Sequence, residues 1–451
     1  MIINKVKKSS NQENLEMIVI IFYNVLMLFY QMIGTSISTC LGIVFFTWFI
    51  SRKTGPWNII QKLTFLICIY VPTSFVSIIG TSYGNLPITW FNISIMIICI
   101  LIIYNGFYNG FYLQSVLLMI SFGLLSFFLN QSIIDAAKQL INIVLFVLSF
   151  FIGENVSKWA HKKFILKLKK YYIVSVFSFS TIVVIQFICN EYLNIKVGYQ
   201  DVIGVNRVVF GGLMNDYSFA TLYIATGSML IFIEYIDNKS INIIKFIGFE
   251  IYFMIGMLIA NSRTGLFALI VVAGIYLLVK TFGGKWESII IILVIILIIP
   301  YVFKYIVESR GGQTLLESSG RTDLIKFAME IFYDNPLFGL GLGSNKWMEY
   351  TGKVLPHNLI AQYLAQMGII GSFIFYSNFV VLINKYLKYG SEFWWVIVVI
   401  LVGAMAIPDI VSSRFLSVLV IIIILSSISN KKEILEGEIY EKSREVIVKK
   451  Y

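Results

Sequence analysis

Glu308–Gly371 reads ESRGGQTLLESSGRTDLIKFAMEIFYDNPLFGLGLGSNKWMEYTGKVLPHNLIAQYLAQMGIIG and is the only long polar interval between hydrophobic segments in the second half of the chain. A connection of this length without regular structure of its own is usually functional or disordered. Its aromatic and aliphatic content argues against disorder. It holds Arg310, Arg321 and His357, the last being one of only two histidines in the protein. On either side lie apolar runs of about 17 to 25 residues, the length a helix needs to cross about 30 Å of hydrocarbon. Such runs fall near 16–33, 34–50, 63–80, 86–103, 113–129, 138–153, 172–189, 215–235, 244–260, 265–280, 288–307, 358–383, 393–409 and 412–428. That makes fourteen spans, or twelve if the tightly joined first and last pairs are re-entrant or partial.

Composition agrees with the runs. The chain is 58% hydrophobic and 13% charged, where soluble domains carry about a quarter charged residues. These features predict an all-α, polytopic transmembrane helix bundle of 12–14 spans, with a long outer-face loop containing short amphipathic helices. The net charge of +11 does not indicate nucleic acid, because the lysines sit in short loops between apolar runs and not on one basic face. Cys40, Cys68, Cys99 and Cys189 lie in or at the edge of apolar segments, without metal-site or disulfide spacing. They read as small hydrophobes. The first apolar run lacks a small-residue cleavage site, so no removable signal peptide is expected.

Basic residues orient the bundle, since cytoplasmic loops carry the excess of Lys and Arg. With both termini cytoplasmic, alternate loops collect 24 of the 35 basic residues. The expected organisation is N-terminal spans over 1–153, a basic cytoplasmic loop 154–171, spans over 172–307 whose outer turns carry Arg207 and Arg263, a large outer loop 308–357, C-terminal spans over 358–428, and a charged cytoplasmic tail 429–451. The tail reads as a short helix on the membrane surface. The outer face then holds five of the seven arginines, Arg207, Arg263, Arg310, Arg321 and Arg414. That runs against the topological trend. A guanidinium binds phosphate oxygens bidentately as an ammonium cannot.

Arg207 precedes the span near Asn215, where snorkelling to headgroups is an equally good reading. Arg263, in ANSRTGLFALIV, occupies a four-residue turn between apolar spans, and an ionisable group so close to hydrocarbon is a functional candidate. Arg321 opens a helix with Leu324, Phe327, Ala328, Ile331 and Phe332 on one face and Asp323, Lys326 and Glu330 on the other. Such a helix suits the membrane interface, and its positive end with Arg321 suits an anion. The glycines of Phe338–Gly343 either present backbone N–H groups to a phosphate or make a turn. His357 stands at the outer entrance of the next span, where an imidazole with an ordinary pKa of about 6.5 suits a general base. No second histidine or carboxylate cluster accompanies it in the sequence, so metal-independent chemistry without a cofactor is expected. Tyr333, Trp347 and Tyr350 fit sugar faces or, more simply, interfacial anchoring.

SRTGLFALIV, GRTDLIKFAMEIFYDNPLFGLGLGSNKW and HNLIAQYLAQMGIIG, in this order, resemble the signature region of the O-antigen ligase and O-antigen polymerase family. The likeness covers roughly Arg207 to Gly371. It implies an inverting, metal-independent glycosyltransferase of the plasma (inner) membrane, with its active site on the outer face. Undecaprenyl pyrophosphate-linked oligosaccharides would be donor and acceptor, and the bilayer, a chain-length regulator and a flippase of the same pathway would be partners, with no nucleic acid. It would place Arg207, Arg263 and Arg321 on the pyrophosphate and His357 on the acceptor hydroxyl, with Asn358, Gln366, Arg310 and Arg414 in support. The family commonly has glutamate where this chain has Gln366, so a carboxylate that tunes the histidine elsewhere is missing here. A surface polysaccharide polymerase is the first reading and a ligase that moves the finished glycan to another acceptor the second. A lipid-linked oligosaccharide flippase is the rival from another class; it calls for charges near mid-membrane and paired broken spans.

Overall fold

The computed structural model describes residues 2–52, 57–78, 88–106, 110–129, 133–203, 207–214, 216–308, 321–343, 347–349, 352, 354–389 and 393–448. Arg310 and Tyr350 lie outside these residues, as does the side chain of Arg321. The helices are α1 (Ile2–Met27), α2 (Tyr30–Ile33), α3 (Thr35–Ser51), α4 (Ile59–Ile69), α5 (Trp90–Tyr104), α6 (Gly110–Phe128), α7 (Ile133–Val156) and α8 (Lys162–Leu193). A hairpin of β1 (Tyr199–Ile203) and β2 (Arg207–Gly212) follows. The chain continues through α9 (Tyr217–Ile236), α10 (Ile243–Ala260), α11 (Arg263–Phe282), α12 (Trp286–Glu308), α13 (Arg321–Asp334), α14 (Leu359–Leu387), α15 (Trp394–Ala404) and α16 (Arg414–Val448). Each of the fourteen apolar runs falls on a helix, and the all-α membrane bundle is what forms. Among the described residues, seven helices are long and apolar enough to cross a membrane.

Burial sorts these helices. α9 is enclosed along nearly its whole length, from Ser218 to Ile236, and packs against α8, α10, α11 and α15. By contrast α10 and α12 leave Ile244, Ile251, Ile290 and Leu297 exposed. In water each such side chain would forgo roughly 1.5–3 kcal/mol of burial. A lipid environment removes that penalty, so these faces are the bilayer-facing ones.

Local chemistry sets the turns. At the α10–α11 junction Asn261 adopts a left-handed conformation (φ 56°), which ends α10, and the Ser262 side chain then caps α11. Gly265 follows because a Cβ there would stand 2.2 Å from the Thr221 carbonyl, so α9 and α11 touch through backbone. At the opposite end of the bundle the expected cytoplasmic lysines are gathered and paired. Lys169 lies 3.6 Å from Glu234, Lys280 2.7 Å from Asp237, and Lys385 3.7 Å from Glu154. Lys432 Nζ donates to the Ser157 carbonyl at 3.4 Å.

The structure departs from expectation in five places. The run 63–80 yields only the eleven-residue α4, after which the buried chain of Tyr70–Phe75 turns. The run 393–409 yields α15, then an irregular segment to Ser413. The run 358–383 forms α14, which is broken inside at Gly368 (φ 64°, ψ −172°). The tail is no separate helix but the continuation of α16. Finally, Arg207 starts a β-strand, antiparallel to β1 with Ile203 opposite it, in place of a simple turn.

Candidate active site

Arg207 and Arg263 come together through the Asn261 turn. The Arg207 guanidinium donates to the Asn261 carbonyl, two residues before Arg263, and the Asn261 side-chain amide donates to the Val208 carbonyl at 3.2 Å. The reciprocal pair staples β2 onto the α10–α11 junction. Arg207 also lies 5.7 Å from the Tyr217 ring, within cation–π range. Arg263, half-buried, is the first residue of α11, whose N-terminus carries the positive end of the helix dipole. α9 begins beside it: Asp216 caps α9 by accepting from Phe219 N–H at 3.1 Å, and Ser262 Oγ lies 3.4 Å from Ser218 Oγ. Two guanidinium-bearing residues and two helix N-termini therefore share one end of the bundle.

His357, half-buried, immediately precedes Asn358, which caps α14 by accepting from Ala361 N–H at 3.0 Å. The first half of α14 is held in an unusual way. Beyond Gln366 the helix opens, and the glycine-rich segment lies in the gap. Leu340 and Gly341 N–H donate to the Ala365 and Gln366 carbonyls at 2.8 and 2.9 Å, while Ile369 N–H donates to the Pro336 carbonyl at 2.8 Å. Gly339 and Gly368 both have φ near +65 to +70°, and a Cβ on either would lie within 2.4 Å of the other segment's backbone. These glycines thus serve close backbone approach.

A buried amide cluster locks this joint. Gln366 Oε1 accepts from Gln139 of α7 at 2.9 Å and from Gln362 at 3.1 Å. Gln366 Nε2 donates to Gln139 Oε1 at 3.1 Å and to the Gly343 carbonyl at 3.2 Å. Gly343 N–H donates to Gln139 Oε1 at 2.7 Å. An ionised carboxylate at 366 could accept but not donate. The amide therefore fits this neutral network, which ties the glycine-rich segment and α7 to α14. Trp347 is likewise structural: it is buried with Ala328, Ile331, Ala361 and Ala365, and its indole donates to the Val354 carbonyl at 3.0 Å. The apolar face of α13 is therefore covered by protein, with Tyr333 left exposed.

Arg414, the other supporting arginine, lies deep. It is 1% exposed and donates to Asn142 Oδ1 at 2.7 Å and to the Ser412 carbonyl at 3.0 Å. Beside it, in the segment between α15 and α16, stands Asp409, a residue the sequence reading passed over. Its N–H donates to Gln362 Oε1 at 2.7 Å, and Tyr363 Oη lies 3.5 Å from its carboxylate. Burial pushes its carboxyl up to about 7, against the lowering pull of the Arg414 charge and of hydrogen bonds from Tyr363, Asn142 and Ser412. Its only sequence signal is an acid after Pro408 in an otherwise apolar stretch.

The His357 and Arg207–Arg263 groups occupy the same end and are joined through α15. That helix packs against α9 and α11, and the Asn358 amide lies 4.0 Å from the Met405 sulfur at its far end. From this end an apolar groove of about 440 Å³ runs between α14 and α15, from Leu359, Met405 and Ile410 down to Asn384 and Trp394.

The fold and this end of it define an integral membrane protein of the polytopic helical class. Residues 249–376 match the model of the O-antigen ligase family. They enclose Arg263, Arg321, His357 and Gln366, whereas Arg207, Asp409 and Arg414 lie outside them. The match supports a membrane function of the glycan ligase or polymerase type. No curated protein matches the sequence.

Proposed function

We propose that the protein is a surface polysaccharide polymerase, moving a glycan from undecaprenyl pyrophosphate onto a lipid-linked repeat unit at the outer face of the plasma membrane. The observation that carries this reading is the joining of Arg207 to the turn that carries Arg263, at the bundle end where His357 precedes the N-cap of α14. In the reaction, His357 takes the proton of the acceptor hydroxyl as its oxygen attacks the anomeric carbon. The bond from that carbon to the diphosphate oxygen breaks with inversion, and the electron pair leaves on the diphosphate. Arg207, Arg263 and the N-termini of α9 and α11 bear the growing negative charge, an electrostatic role that is strongest in a low-dielectric site. Arg321 at the start of α13 is the third candidate. The groove between α14 and α15 suits an isoprenoid tail beside these groups. The basic end, with its paired lysines, would face the cytoplasm.

The description of the matching family favours a second reading, a ligase that transfers the finished glycan to a different acceptor. Cells carrying His357→Ala, Arg207→Ala or Arg263→Ala test both. A polymerase defect leaves single lipid-linked repeats on the outer leaflet, and a ligase defect leaves long chains on the carrier. Repeats trapped on the inner leaflet would point to transport, and normal polymer in all three variants would remove the site assignment.

A further inference from the structure

A second cavity opens beside the hairpin. It measures about 200 Å³ and is lined by Tyr30, Gln31, Phe75, Lys196, Gly198, Tyr199, Gln200 and Leu213. That is below the roughly 300–1,000 Å³ of sites for drug-sized ligands, so it has room for one small ring. Its walls are fixed. Gln186 of α8 donates to the Val197 and Tyr199 carbonyls at 2.7 and 2.8 Å and accepts from Gly212 N–H at 2.9 Å. Gly198 (φ +63°) is pressed so closely that a Cβ would lie 2.4 Å from the Gly212 carbonyl.

The lining is chemically mixed. Gln200 Nε2 donates to Asn190 Oδ1 at 2.8 Å, while Gln200 Oε1 is buried with no hydrogen-bond partner among the described residues. Lys196 is exposed and can only donate, whereas the hydroxyls of Tyr30 and Tyr199 do both. Phe75 supplies an apolar floor, and its ring lies 5.8 Å from the Arg414 guanidinium, which ties the cavity to the Asp409 group. A ligand that accepts from Lys196, exchanges hydrogen bonds with Gln31 and the tyrosine hydroxyls, and rests a flat apolar face on aromatic rings is a hydroxyl-rich ring.

We infer that this cavity is a subsite for a single sugar residue of the glycan substrate. The assignment rests on the glycan-transfer reading and deepens it. Gln200 is three residues along β1 from Ile203, the partner of Arg207, a distance of roughly 10 Å. A glycan whose diphosphate sits at Arg207 can therefore extend one of its rings over the hairpin into the cavity.

The test uses the full-length protein in detergent micelles, with saturation-transfer NMR against free hexoses, N-acetylhexosamines and hexuronic acids. At least one sugar class should receive saturation. The paired substitution Lys196→Ala and Gln31→Ala, at exposed positions, should weaken its binding by about ten-fold or more, the equivalent of about two lost hydrogen bonds. His357→Ala should leave the binding unchanged. In cells the paired variant should make shorter or fewer chains, whereas His357→Ala makes none. Absence of saturation for every sugar, or equal binding by the paired variant, overturns the subsite and leaves the transfer reading standing. Normal polymer from His357→Ala overturns the transfer reading whatever the binding shows.

Discussion

Replacing Gln366 by glutamate tests whether the amide cluster needs a neutral donor at its centre. The substituted carboxyl, protonated, can give one hydrogen to Gln139 Oε1 or to the Gly343 carbonyl but not to both. The acceptor left over costs about 1–3 kcal/mol. Keeping the carboxyl protonated costs about 1.36 kcal/mol per pH unit above its ordinary pKa of about 4.3, hence about 1 kcal/mol at pH 5 and about 4 at pH 7.5. Gln366→Glu should therefore lose roughly 2–4 kcal/mol at pH 5 and up to roughly 5–7 at pH 7.5. The sign follows from linkage: a carboxyl whose folded pKa is raised favours the folded state in acid and loses that advantage as pH rises. The assay is the apparent melting temperature of purified protein, read by tryptophan fluorescence at a fixed scan rate because membrane proteins often unfold irreversibly. Gln366→Met, which breaks the cluster without adding a titrating group, should be destabilised evenly across the range. Parallel pH profiles for wild type and Gln366→Glu would refute the donor requirement.

Gly368→Ala places a side chain at φ +64° with its Cβ 2.3 Å from the Leu337 carbonyl, and strain plus overpacking should cost roughly 2–6 kcal/mol; limited proteolysis within 336–343 reads the released loop, and wild-type resistance would contradict the break. Asp409, pushed up to about 7 from an unfolded value of about 3.9, binds its proton more tightly when folded, so wild-type stability should fall as pH rises from about 4 to 7. Asp409→Asn should lessen that fall and melt above wild type near pH 8, and an identical fall in both would remove Asp409 as a source of it. Arg263→Lys keeps the charge but loses the planar fork, so transfer should drop on the order of ten-fold or more. Lys280→Arg, at the opposite end, should leave transfer unchanged, and full activity in Arg263→Lys would show that a point charge suffices.

The helices were legible because a bilayer demands apolar runs of fixed length, and composition alone reports those. The amphipathic face of α13 was legible for the same reason, as Leu324, Ala328 and Ile331 recur at helical spacing and are buried. The hairpin was not, because short strands leave only a weak signal. Contacts across the chain leave none at all. Nothing local announces that Gln139 will meet Gln366, 227 residues away, or that Arg207 will reach Asn261. Glu250 escaped notice within an apolar run, and the structure buries it in α10 with Ser228 Oγ donating to it at 2.5 Å. Polar groups are therefore not confined to the loops. The glycines of Phe338–Gly343 and Gly368 were visible, but only their partnership explains them.

The threaded joint between Pro336–Gly343 and α14 also bears on how such chains can be recombined. Residues 359–366 are neither a free half-helix nor part of an uninterrupted span, because their last carbonyls are satisfied by amides that arrive from outside. Grafting a relative's loop onto this scaffold, or this loop onto a relative, would strand those carbonyls unless the receiving helix opens at the same residue. The smallest cassette that can be exchanged intact thus begins at Arg321 and ends past Ile370, taking in both the loop and the helix it interrupts.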